Sequence, residues 1–182
     1  MERIEKAVEV NCPVHTVYNQ WTQFEEFPRF MAGVKEVKQL DDTHVRWHAE
    51  IWGKDKEWDA EITDQVPDQH IAWRSTSGDA PNAGSVRFEP LGSDKTRMRL
   101  TMEYEPQGAV ENVGDALGVM SRRVQTSVEQ FKDYIEKSRE MYGTQSFDQH
   151  LIDLYNANII SFETAKTAAT NPADLERALY VN

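Results

Sequence analysis

Between Val34 and Glu105 the apolar side chains recur at every second position, in short runs separated by turn residues. That is the period of a β-strand, whose successive side chains leave opposite faces of the sheet. The alternation predicts strands over 34–40, 43–52, 56–66, 69–77, 84–91 and 95–105. The breaks fall at Asp41-Asp42, Gly53-Lys54, Pro67-Asp68, Asp79 to Asn82 and Gly92-Ser-Asp94, all turn-forming sequences. Connections this short imply an antiparallel meander. Trp47, Ala49 and Ile51 share one face. So do Trp58, Ala60 and Ile62, then Ile71 and Trp73, then Val86 and Phe88, then Met98, Leu100, Met102 and Tyr104. The sheet therefore has one apolar, aromatic-rich face and one charged face.

An apolar face needs a cover, and residues 109–140 supply it. Val110, Val113, Leu117, Met120, Val124, Val128, Phe131 and Ile135 are spaced by three or four throughout, the stripe of one long amphipathic helix. Gly114 and Gly118 lie within it, which suggests close backbone approach or room beside the helix. Residues 2–10 alternate as a first strand. Asn11-Cys-Pro13 then opens a helix whose apolar face is Val14, Val17, Tyr18 and Trp21. A short helix from Phe24 to Phe30 is interrupted by Pro28. The expected fold is α+β: a curved antiparallel sheet of about seven strands around a long C-terminal helix, over residues 1–142, with an apolar cavity between them.

The character changes after Gly143. Ser146-Phe-Asp-Gln149 has the form of a capping box, Phe147, Leu151, Leu154 and Tyr155 share a helix face, Ser161 caps a second helix, and Asn171-Pro172 opens a third. Residues 143–182 thus read as a three-helix appendage, too small for a strong core of its own. It is expected to pack on the main domain, to self-associate or to bind a protein partner.

The formal net charge of −11 argues against nucleic acid and anionic membrane surfaces, since both attract a basic face. No apolar run reaches the length needed to span a bilayer, and Met-Glu-Arg-Ile-Glu-Lys at the start is unlike a signal peptide. A cytoplasmic location is expected. Cys12 is the single cysteine, so no intramolecular disulfide is available. No two histidines have metal-ligand spacing, and neither metal nor cofactor is expected.

The residues expected to line the cavity are Trp47, Trp58, Trp73, Phe88, Met98, Met102, Tyr104, Leu117, Met120 and Val124. Each either walls a space for a flat or greasy ligand or packs a solid core. Trp52 falls on the charged side of its strand, which marks a bulge or an exposed contact residue. Trp21 reads as core between helix and sheet. Cys12 reads as structural. Polar groups on the inward rows are few: Tyr104, with Ser75 and Thr96 as further candidates. Asp55, Glu57, Asp59, Glu61 and Asp64 read as a solvated face paired across strands with Arg46 and Arg74. Arg122 and Arg123 read as solvent-side residues of the long helix.

Several stretches carry a family resemblance: VYNQWTQFEEFPRFMAGV at 17–34, KEWDAEITDQVPDQHIAWRS at 56–75, MEYEPQG at 102–108 and ENVGDALGVMSRRV at 111–124. They resemble the bacterial polyketide cyclase/dehydrase-type proteins of the START-like superfamily, whose fold is a helix grip. The resemblance implies a small hydrophobic ligand. Some members resemble aromatic polyketide cyclases, others coenzyme-Q-binding proteins or plain carriers, so it leaves enzyme and carrier open. The inward face offers little for acid–base chemistry, which favours a non-catalytic carrier or sensor over a cyclase or dehydratase. FDQHLIDLYNANIISFETAKTAATNPADLERAL at 147–179 is similar to the C-terminal helical segment of the type IV pilus retraction ATPase. No GxxxxGK[ST] is present, so that similarity implies a shared interaction module and no ATP hydrolysis.

Overall fold

The computed structural model describes residues 2–105, 113–141, 147–169 and 171–180. Seven strands form one antiparallel sheet in the order β1-β7-β6-β5-β4-β3-β2. They are β1 (Glu2–Val10), β2 (Val34–Gln39), β3 (His44–Ile51), β4 (Lys54–Val66), β5 (His70–Gly78), β6 (Asn82–Pro90) and β7 (Thr96–Tyr104). Helix α1 (Val14–Trp21) and a 3₁₀ helix (Phe24–Arg29) lie between β1 and β2, and α2 (Val113–Met141) follows the sheet. The strands expected from alternation are present, with ends shifted by at most two residues. The fold is the α+β grip that the alternation and the long stripe imply.

Hydrophobic burial on two sides holds α2 in place. Met120, Val124, Val128, Phe131 and Ile135 are all buried in the same cluster as Ile71, Val86 and Leu100 of the sheet. Val110 lies outside the described residues, and of Val113 and Gly114 only the helical backbone is described. Phe131 meets Trp21 of α1 edge-on at 5.3 Å and Phe30 at 5.5 Å between ring centroids. Gly118 faces open space.

The charged face behaves as a solvated face should. Arg46 reaches Asp59 at 2.8 Å and Arg74 reaches Glu61 at 3.1 Å across β3–β4 and β4–β5. These pairs are exposed and contribute little each. Cys12 is fully buried, and Thr96 Oγ1 donates to its carbonyl at 2.8 Å. Trp52 and Gly53 form the β3–β4 turn, with φ of +57° and +70°. The indole is thereby turned out of the strand and stands exposed.

The 3₁₀ helix contains a buried carboxyl. Glu26 is fully buried. Its Oε2 accepts from Gln20 Nε2 at 2.8 Å and its Oε1 from the Tyr134 hydroxyl at 2.6 Å. Arg29 Nη1 donates to the same hydroxyl at 3.0 Å and lies 3.7 Å from Oε1. The network ties α1, the 3₁₀ helix and α2 together. Burial holds the Glu26 carboxyl above its ordinary range, against the opposing pull of Tyr134, Gln20 and Arg29. Burial and the neighbouring carboxylate likewise push the Tyr134 phenol up.

Three further helices follow: α3 (Phe147–Asn156), α4 (Phe162–Ala168) and α5 (Pro172–Tyr180). Leu151, Leu154, Ile160, Ala165 and Leu175 form a second buried cluster among them. Ser161 caps α4 by accepting from Thr164 N at 3.2 Å. Asn171 does the same for α5, accepting from Asp174 N at 3.2 Å. Gly143 and Ser146, which the capping and linker assignments involve, lie outside the described residues. This helical cluster meets the 3₁₀ helix through Glu25. One carboxylate oxygen accepts from Ser161 N at 2.9 Å and the other from Gln39 N at 3.3 Å. Thr164 Oγ1 also donates to Gln39 Oε1 at 3.3 Å.

A raised carboxyl has a definite effect on stability. The folded chain binds the Glu26 proton more tightly than the unfolded chain does. Its contribution is complete below the ordinary carboxyl range, about pH 4.5, and is lost as the pH climbs through the folded value. Glu26→Gln should therefore gain stability relative to the wild type between about pH 5 and pH 8. Thermal melts of both proteins at those two pH values measure this. A difference independent of pH would show that the carboxyl does not titrate there.

Candidate functional site

The sheet and its helices enclose a cavity of about 180 Å³. Trp47, Trp58, Trp73, Met102, Met120 and Val124, six of the ten residues expected on the wall, lie on it. Leu117, Phe88, Met98 and Tyr104 do not. Leu117 packs partly buried against the core. Phe88 and Met98 face each other across β6–β7 beneath α1, where Tyr18 meets Phe88 edge-on at 5.5 Å. Tyr104 ends β7 between Glu2 and Asn82. Its side chain is buried, and its hydroxyl has no hydrogen-bond partner among the described residues. The inward rows thus serve two purposes: α1 fills one end of the grip, and the cavity occupies the other.

The aromatic wall is ordered by its backbone. Trp47 and Trp58 are cross-strand partners on β3 and β4, and their rings stack at 5.8 Å with 2° between planes. Offset stacking of this kind suits the ring quadrupoles. Phe27 packs on Trp47 at 5.5 Å, so the 3₁₀ helix forms part of the wall. Trp21, expected as core, also reaches it. Trp73 Nε1 donates to Asn82 Oδ1 at 3.2 Å, and Asn82 Nδ2 donates to Ala80 O at 2.7 Å. Ser75 Oγ accepts from Asn82 N at 3.0 Å. Gly84 is the cross-strand partner of Trp73 and leaves room for its ring. A Cβ there would collide with the indole and stand 2.8 Å from Thr101 O.

Three polar wall residues were not expected: Asn82, Ser127 and Arg123. The turn signal Asp79 to Asn82 puts Asn82 before β6. It shares the parity of Val86 and Phe88, and extending their alternation back two positions places it inward. Arg123 reads from the sequence as a solvent-side residue of α2, and here the structure differs. It lies three residues after Met120, beside Val124 on the same face, and its half-buried guanidinium reaches the carbonyls of Glu50 and Ala32. Arg122, by contrast, is exposed. Arg123, Ser127 and Ala32 also line a more open hollow of about 380 Å³ with Gly33, Glu50, Gly53 and Gln130.

Chemically the chamber is poor in reactive groups. Among the described residues that line it there is no carboxylate, imidazole, phenol or thiol. Asn82 has both ends of its amide engaged, and the Ser127 hydroxyl donates to Arg123 O at 2.9 Å.

The geometry around Gly84 is open to a direct test. Gly84→Ala should destabilise the protein by about 1–3 kcal/mol, the usual cost of overpacking, because Thr101 O is backbone and cannot give way. Displacement of Trp73 should change the near-ultraviolet circular dichroism. An unchanged melt and spectrum would mean the indole has free space that the structure does not show.

The family described as polyketide cyclase/dehydrase and lipid transport matches residues 10–132. A 17.2 kDa protein from the melC2-rnhH intergenic region of Streptomyces lincolnensis is 45% identical over 143 residues, covering 79% of this chain and 95% of that protein. Similar solved structures include a START superfamily protein from Mycobacterium smegmatis, with a TM-score of 0.68 at 17% identity, over 74% of this chain and 97% of that one. The ZhuI aromatase/cyclase from Streptomyces sp. R1128 gives 0.64 at 18% identity, over 75% and 94%. These two likenesses concern the fold. Together with the matched family and the Streptomyces lincolnensis relative, they place the chain in the polyketide cyclase/dehydrase and lipid transport family, on a START-like helix-grip fold.

Proposed function

We propose that the protein binds a small hydrophobic, aromatic molecule in the chamber and carries or senses it without converting it. The observation that supports this most directly is the composition of the wall: stacked tryptophans, methionines and aliphatic side chains, with no group among the described residues placed to take or give a proton. A cyclase acting on a polyketone chain would need such groups at the ketone oxygens and at the carbons losing protons. Cavity size points the same way. An engineered apolar cavity of about 150 Å³ accepts benzene, so the chamber is suited to one aromatic ring with a short extension.

Tryptophan emission reports on the wall directly, and a homologous series of phenylalkanols tests the proposal. Each added methylene is worth about 0.8 kcal/mol when buried, roughly fourfold in affinity. Affinity should rise by that step and then level off once the chamber is full. An absence of saturable binding across the series would refute the carrier reading. Turnover of a poly-β-ketone substrate would establish the cyclase in its place.

We further infer that residues 143–182 brace the cavity wall. The contact of Ser161 with Glu25 supports this, because Glu25 belongs to the 3₁₀ helix that carries Phe24 and Phe27. Truncation after Gly143 should lower the melting temperature and weaken phenylalkanol binding. If the melt and the binding are unchanged while oligomeric state or protein capture is lost, the segment is an interaction module.

A further inference from the structure

The sole charged residue among the described residues lining the inner chamber is Arg123. Its position is built, not incidental. Gly33 has φ of +88°, and the Arg123 guanidinium occupies the space that a side chain at Gly33 would take. Gln130 Oε1 accepts from Ala32 N at 3.4 Å and holds the same loop against α2. Nη2 donates to Glu50 O and, at 3.5 Å, to Ala32 O.

Backbone carbonyls satisfy hydrogens but do not neutralise charge. A guanidinium has five N–H donors. Among the described residues, Nε and Nη1 meet no acceptor, and no carboxylate lies within ion-pair distance of Arg123. The nearby acids lie toward Lys35, which reaches Asp55 at 2.5 Å and Glu50 at 4.0 Å. A half-buried cation with no direct ion pair among the described residues therefore stands where the apolar chamber meets the open hollow, with spare donors.

We infer that the ligand is amphipathic, an aryl or short alkyl-aryl body in the chamber ending in a single carboxylate held by Arg123. This rests on the binding function proposed above and specifies its ligand class. A monoanion fits the charge balance. One guanidinium neutralises one carboxylate, while a dianionic phosphate would leave a second charge uncompensated in a protein of net charge −11. The carboxylate also gives a role to a charge at the edge of an otherwise greasy wall, where an unpaired charge is costly.

The test compares 4-phenylbutanoate, 4-phenylbutanol and 3-phenylpropyl phosphate by tryptophan quenching at neutral pH, on wild-type protein, Arg123→Gln and Arg123→Lys. On wild type the carboxylate should bind at least as tightly as the alcohol despite its heavier dehydration, and more tightly than the phosphate. Arg123→Gln should cut the carboxylate-to-alcohol affinity ratio by about tenfold or more, the scale of a charged hydrogen bond. Arg123→Lys should keep part of the preference. A merely structural Arg123 would weaken both ligands equally and leave the ratio unchanged. An unchanged ratio overturns the inference while continued alcohol binding leaves the carrier reading standing. If no ligand binds, the carrier reading itself fails. The wild-type comparison decides the matter even if a variant does not fold: an alcohol preferred by tenfold or more refutes the carboxylate, and a tighter phosphate refutes the monoanion.

Discussion

One helix cannot cover seven strands. Strands lie about 4.8 Å apart, so a seven-stranded sheet is roughly three times as wide as a helix of about 10 Å diameter. Curling the sheet around α2 reduces the mismatch but does not remove it. The remainder is met by α1 at one end, where Tyr18 packs on Phe88, and by the 3₁₀ helix beside it, where Phe27 packs on Trp47. What is left unfilled is the chamber. The cavity is thus a consequence of the ratio between sheet and helix, and its wall is whichever part of the inward rows no helix reaches.

That distinction explains what could be read from the sequence. Parity alone identified the inward rows, since alternation in a strand and spacing by three or four in a helix fix which face a residue occupies. It could not say where along a row the helices touch. Trp58 and Met98 have equal claims by parity, yet one lines the chamber and the other is buried under α1. Parity also fails at bulges. The register shifts between Ile62 and Asp64, which turns Gln65 toward α1, where Nε2 donates to Tyr18 at 2.7 Å. Trp52, which parity puts on the charged side, stands exposed in the turn after β3. The solvent-side reading of Arg123 rests on its charge, whereas its spacing from Met120 and Val124 is that of the inward face.

Glu26 lay beyond what pattern can give. Glu25 and Glu26 are adjacent acids in a short helix with identical local sequence signals, and only tertiary packing separates them. One becomes a buried carboxyl shared between α1 and α2, the other a surface carboxylate that receives two backbone N–H groups from different parts of the chain. Both act on the same short helix, one from inside and one from outside. The wall segment that contributes most aromatic surface from outside the sheet is therefore also the one most heavily tied by polar contacts.

The pairing of β1 with β7, which sets Glu2 opposite Tyr104, has a consequence for the chain as it is made. β1 is the first of the seven strands to be synthesised, yet its only neighbour in the sheet is the last. At about 5–20 residues per second, it waits on the order of ten seconds for a partner. A bare apolar strand would be an aggregation hazard over that interval. The sequence ERIEKAVEV, with a charge at most positions facing away from the core and Lys6 among those facing in, keeps the waiting strand soluble. Lys6, which weakens the apolar side, also makes that side a poorer template for stray pairing.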